Sequence, residues 1–77
     1  MKFTLEDAKQ IGDQLNIDWT IVDLNQFFKG INVELEHGNR DSQTNVTNND
    51  PILTCKIALA HLKELPDYYT RLETIEE

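Results

Sequence analysis

The sequence is poor in the devices that small proteins use to fasten a fold. It has one cysteine, Cys55, in 77 residues, so no disulfide can close within the chain. A domain this small buries a limited core and draws its remaining stability from tight packing, a metal or a partner subunit. A lone thiol fits a reducing compartment. Long apolar runs are missing too. No stretch approaches the ~20 residues that cross a bilayer, and Met1–Glu6 lacks the apolar segment of a signal peptide. The expectation is a cytoplasmic protein with no membrane partner. Basic residues are scarce, seven Lys and Arg against fourteen Asp and Glu, for a net charge of -7. That balance opposes direct binding to nucleic acid or anionic lipid. Its simplest physical role is to keep a small protein soluble. Length allows one domain, 1–77.

With only three glycines and two prolines, each one punctuates the chain. A first helix is expected from about Leu5 to Leu15, with Thr4 and Asp7 in capping-box positions. Its apolar stripe is Leu5, Ala8, Ile11 and Leu15. Gly12 beside the stripe would let another helix come close. Asn16 to Val22 forms a connection whose Trp19 plugs one end of the core. Asp23 begins the second helix as N-cap, with Gln26 in the capping-box position and Val22 and Phe27 spaced as a hydrophobic staple. Leu24, Phe27, Phe28, Ile31 and Leu35 give its buried stripe. Gly30 marks a close contact, and Gly38 just after His37 reads as a C′ stop.

Asn39 to Asp50 is a long polar loop rich in residues that bond their own backbone. Its oxygen donors do not have the spacing of an EF-hand. Asp50-Pro51 opens a third helix with an N-cap and a proline at N1. Leu53, Ile57, Ala58, Leu62 and Leu65 are its expected buried face, which leaves Cys55 as an inert boundary or surface thiol. A short fourth helix has Pro66 in its first turn, with Tyr68, Leu72 and Ile75 inward and Tyr69 half exposed. Residues 74–77 form a frayed tail. The expected fold is all-α: a compact three-helix domain plus a short fourth helix.

The chemistry-bearing residues fall in two segments. Glu34 and His37 on the second helix, and His61 and Glu64 on the third, each sit at i and i+3, so each pair projects from one side of a helix. Glu-x-x-His is the spacing that di-iron and di-manganese bundles use. These four residues form the candidate divalent-metal set, while the structural alternative makes His61 a hydrogen-bonded core residue. A simple antiparallel pairing of the two helices sets Glu34 near Thr54. It leaves His61 two turns away, on the order of 10 Å; only a long return path by the Asn39–Asp50 loop aligns the two pairs, and that loop is long enough. No nucleophile has partners in a recognisable order: Ser42 lacks a triad, and Cys55 has no neighbouring histidine.

Five stretches, in order, carry a resemblance: Leu35-Glu36-His37-Gly38; Thr44-Asn45-Val46-Thr47; Asp50-Pro51; Lys56-Ile57-Ala58-Leu59-Ala60-His61-Leu62; and Pro66-Asp67-Tyr68-Tyr69-Thr70-Arg71-Leu72. Together they resemble a family of small domains of unknown function from bacteria, archaea and phage. The likeness spans Phe3 to about Leu72 and departs at Cys55, where glycine is expected. It implies a shared purpose for Glu34, Glu36, His37, His61, Glu64 and Tyr69 and brings no activity with it.

The leading expectation is a non-enzymatic protein-interaction or regulatory module with no required cofactor. It would use an acidic face or the loop, with Glu36, Asp41, Asn45, Asp67 and Tyr69 as contact residues and self-association as one form of partnership. The alternative is a metal-binding helical domain built on Glu34, His37, His61 and Glu64. A weaker one, resting on charge alone, is an acidic nucleic-acid mimic. An enzyme is the least supported class.

Overall fold

The computed structural model describes residues 2–40 and 50–76, with side chains at 2–36 and 50–74. Among them are four helices and no strand: α1 (Leu5–Gln14), α2 (Leu24–Arg40), α3 (Pro51–Glu64) and α4 (Tyr68–Glu76). The all-α expectation holds. The stretch 41–49, with Asp41, Ser42 and Asn45, lies outside the described residues, as do the side chains of His37 and Ile75.

The starts of the first three helices follow from local chemistry. Thr4 Oγ1 accepts from the Asp7 amide at 3.1 Å, and the Asp7 carboxylate accepts from the Thr4 amide at 2.9 Å. Both bonds of the capping box are therefore made, satisfying donors that the first turn would otherwise leave open. Asp23 Oδ1 takes the Gln26 amide at 3.0 Å. Asp50 Oδ1 takes the amides of Ile52 and Leu53, ahead of Pro51, whose missing N–H costs nothing at N1. α1 ends in a Schellman turn. Asn16 adopts a φ of 60°, and Asn16 and Ile17 donate to the carbonyls of Asp13 and Gly12. Asparagine tolerates that left-handed geometry better than other side chains.

Two helix boundaries differ from expectation. α2 runs through Gly38 to Arg40, because a glycine inside a helix costs only about 1 kcal/mol and does not by itself stop one. α4 begins at Tyr68, leaving Pro66 and Asp67 in the preceding turn, where the Asp67 carbonyl accepts from Arg71.

α2 is the hub and packs on α1, α3 and α4. Phe27 and Ile31 are fully buried and Leu35 nearly so, each contributing about 1.5–3 kcal/mol through removal from water. Val22 is buried with Phe27, as the staple spacing requires. Asn32 fastens the N-terminal segment to α2. Its Oδ1 accepts from the Phe3 amide at 2.8 Å, and its Nδ2 donates to the Phe3 carbonyl at 3.0 Å. Trp19 closes one end of the core. Its indole lies over Gly12, meets Phe27 edge-on at 5.7 Å and donates to Asp13. The close approach that Gly12 permits is thus to this ring rather than to a second helix.

α3 is turned from the expected orientation. Thr54, Cys55, Ala58 and Leu62 are buried, while Leu53 is 45% exposed. Apolar residues surround this helix, so leucine positions do not define its inner face. Small side chains face the core because they let the helix come close. Thr54 satisfies its hydroxyl by donating to the Asp50 carbonyl at 2.9 Å. Cys55 is fully buried, not on the boundary, and burial pushes its thiol up to about 11. It is held neutral and unreactive.

Gly30 is where α4 docks. Its missing side chain makes room for the Tyr69 ring, which would collide with a Cβ at that position. Gly30→Ala gains about 1 kcal/mol in helix propensity, but it displaces a buried ring, and overpacking of this kind costs about 1–3 kcal/mol. Equilibrium urea unfolding should therefore show a net loss; a more stable variant would mean that α4 does not sit closely on α2.

Candidate functional site

The polar cluster lies where α2, α3 and the start of α4 meet. Tyr69 is 1% exposed, and its hydroxyl donates to Glu34 Oε2 at 2.8 Å. The same carboxylate oxygen lies 3.8 Å from His61 Nε2, with side-chain exposures of 14% for Glu34 and 35% for His61. That separation is too long for a hydrogen bond and short enough for an ion pair once the imidazole is protonated. His61 stacks flat on Tyr68, with ring centroids 4.3 Å apart and planes within 3°. Tyr69 meets both rings edge-on, at 6.3 Å from His61 and 4.9 Å from Tyr68.

The meeting of Glu34 and His61 corrects the helix pairing expected from sequence, which kept them two turns apart. Carrying α2 on to Arg40 moves the residue opposite Glu34 about three positions further along α3. His61 then lies roughly one turn away, within reach of a glutamate and an imidazole.

Tyr68 and Tyr69 exchange their expected roles. Tyr69 goes into the core and Tyr68 is half-buried over His61, so Tyr69 is not a surface contact residue. The choice is tertiary: only Tyr69 faces the gap at Gly30. Glu64 is exposed. Glu36 is exposed on α2, and Asp67 accepts from Arg71 Nε at 2.8 Å. Asp41 and Asn45 lie outside the described residues. Among the described residues, no group of three or more His, Cys, Asp or Glu side chains is placed to hold an ion.

Burial, with the Glu34 carboxylate beside it, pushes the Tyr69 hydroxyl well above its ordinary value. Tyr69 is therefore the fixed donor of the pair and Glu34 the acceptor. The nearest partners of the Glu34 carboxylate belong to the fold itself, and the arrangement ties three helices together.

A second surface feature has almost no signature in the sequence. The α1–α2 connector and α3 enclose a shallow groove of about 220 Å³, lined by Leu15, Ile17, Ile21, Val22 and Leu59, with Asp18 and Lys63 among its polar residues. Ile21 is 74% exposed. Its one sequence signal is the adjacent pair Ile21-Val22: Val22 takes the staple position, which leaves its neighbour outward.

Residues 8–77 match the family described as Protein of unknown function (DUF5661). The chain belongs to the DUF5661 family. No curated protein matches it, and no solved structure does. None of the described helices is long and apolar enough to cross a membrane. The likeness anticipated from sequence is thus to a small family without an assigned activity.

The raised Tyr69 value fixes a pH dependence. A group whose folded value lies above its unfolded value contributes stability in full below the unfolded value. For tyrosine that is about 10, and the contribution is lost as pH rises beyond it. Tyr69 should therefore add no tyrosinate absorbance to the native chain at pH 10, and Tyr69→Phe should leave the native ultraviolet titration unchanged. A clear drop in tyrosinate signal in that variant would show Tyr69 to be accessible and ionising.

Proposed function

We propose that this DUF5661 protein is a small non-enzymatic protein-interaction module and that the Ile21 groove is its contact surface. The observation that supports this reading is the 74% exposure of Ile21 beside an apolar groove. A large apolar side chain held in water next to apolar walls is an incentive to bind, because covering it recovers about 25 cal/mol per Å². The polar cluster fits a structural role, since the buried Tyr69 hydroxyl donates to Glu34 and so joins α4 to α2. The neutral, buried Cys55 thiol suits the reducing cytoplasm, where we place the protein. This surface differs from the acidic face and loop that the sequence favours.

The test is affinity capture from a cell extract by wild type and Ile21→Asp at matched folding, checked by thermal melting. The expected result is a retained chain, further copies of this protein included, that Ile21→Asp loses at least tenfold. Identical capture by both proteins would remove this surface from the account.

A second reading is favoured by one observation, the approach of Glu34 and His61 to 3.8 Å. Both are ordinary ligands for a divalent ion, and His37 and Glu64 are the sequence candidates to complete the set. Elemental analysis of purified wild type and His61→Ala decides it. Near-stoichiometric metal in wild type alone would establish a metal site; none in either would leave His61 a packing residue.

A further inference from the structure

We propose that the Ile21 groove is filled by a second copy of the same chain, in a two-fold symmetric dimer. This rests on the protein-interaction reading and names its partner.

Three observations point to a second copy. The groove carries one acid and one base from different elements, Asp18 from the α1–α2 connector and Lys63 from α3, both exposed. In a two-fold interface, residue i of one copy meets residue j of the other and the reverse. One acid and one base beside a shared apolar floor are therefore self-complementary: Asp18 of each copy faces Lys63 of its mate. A uniformly basic or acidic partner would leave one of the two opposed by a like charge.

Ile21 provides the second observation. It stands out as a knob at the groove's edge, while Leu15, Ile17, Val22 and Leu59 supply apolar walls. One patch thus carries both the projection and the recess that self-pairing requires. The third observation is size. With one cysteine in 77 residues, the chain has no internal disulfide to supplement its core, and association is a common recourse for domains this small.

The expected affinity is modest. A standard interface covers about 800 Å² on each partner, roughly 15% of the 5203 Å² surface of this chain. The groove alone is smaller than that, and two copies of net charge -7 repel each other at long range. Association should fall in the micromolar range or weaker and strengthen when salt screens the net repulsion.

Sedimentation velocity of the full chain from about 10 µM to 1 mM tests the proposal, since micromolar dimers dissociate within that range. Wild type should shift from monomer to dimer, and Ile21→Asp should remain monomeric with an unchanged melting temperature. The charge-swapped variants then test the pairing. Asp18→Lys sets ammonium against ammonium at both contacts of its own dimer. Lys63→Asp sets carboxylate against carboxylate at both contacts of its own. Each variant alone should therefore be monomeric. In a mixed dimer of the two single variants, one copy carries ammonium groups at both positions and the other carries carboxylates at both, so each contact sets an ammonium against a carboxylate. Mixing the single variants should therefore restore association, as should the double swap Asp18→Lys/Lys63→Asp, which re-forms both attractive pairs within one species. The double variant should associate at least tenfold more tightly than either single one.

Wild type that stays monomeric to 1 mM would overturn the second copy as occupant, while capture of a different protein through Ile21 would still uphold the interaction reading. A dimer indifferent to Ile21→Asp would overturn this surface. Stronger self-association of Asp18→Lys than of wild type would show that net charge, not pairing, governs contact, and would overturn the arrangement.

Discussion

The structure depends on the burial of one phenol. Tyr69 enters the space left by Gly30 on α2 and donates its hydroxyl proton to Glu34 in a hydrogen bond. α4 has nine residues, too few to stay helical in water without packing. Its other ties to α2, Gln26 to Thr70 and Lys29 to Glu73, are exposed and worth little individually. Tyr69 is therefore the anchor of α4. Glu34 depends on Tyr69 in turn, because a mostly buried carboxylate without a donor is costly. The dependence is mutual: the acid makes the buried hydroxyl tolerable, and the hydroxyl does the same for the acid.

Of the residues that stand out in the sequence, Glu34 and His61 meet, with Tyr69, held protonated, and the Tyr68 ring, stacked on the imidazole, beside them; the side chain of His37 lies outside the described residues. Aromatic stacking of that kind contributes about 0.5–1.5 kcal/mol and fixes the His61 ring plane. The cluster joins α2, α3 and α4, and its arrangement supports cohesion. The groove at Ile21 lies elsewhere, on the connector side of α3.

How much was legible in the sequence follows from how local each signal is. Capping residues act within four positions, so Thr4 with Asp7, Asp23, and Asp50 with Pro51 all announced their helices correctly. The α2 stripe was legible because Phe27, Ile31 and Leu35 stand against polar neighbours. α3 was legible only in part: Ala58 and Leu62 lie inward as expected, but Ile52, Leu53, Ile57, Leu59 and Leu65 leave little contrast, and the rest of the inner face went to the small Thr54 and Cys55. Gly38 looked like a stop because glycine often is one, and nothing local showed that α2 would continue. The Tyr68–Tyr69 choice depended on a gap far back in the chain, at Gly30. The pairing of Glu34 with His61 depended on the register of α2 and α3, which no single segment encodes. Gly30 itself was read correctly as a close contact; its partner could not be.

Glu34 and Tyr69 stabilise each other, and a double-mutant cycle measures this most directly. Urea unfolding of wild type, Glu34→Gln, Tyr69→Phe and the double variant isolates their coupling. A phenol donating to a mostly buried carboxylate should give a coupling of about 1.5–3 kcal/mol, with the double variant less damaged than the sum of the singles. Additive losses, with coupling near zero, would show that the two side chains merely lie close together and that α4 is held by something else.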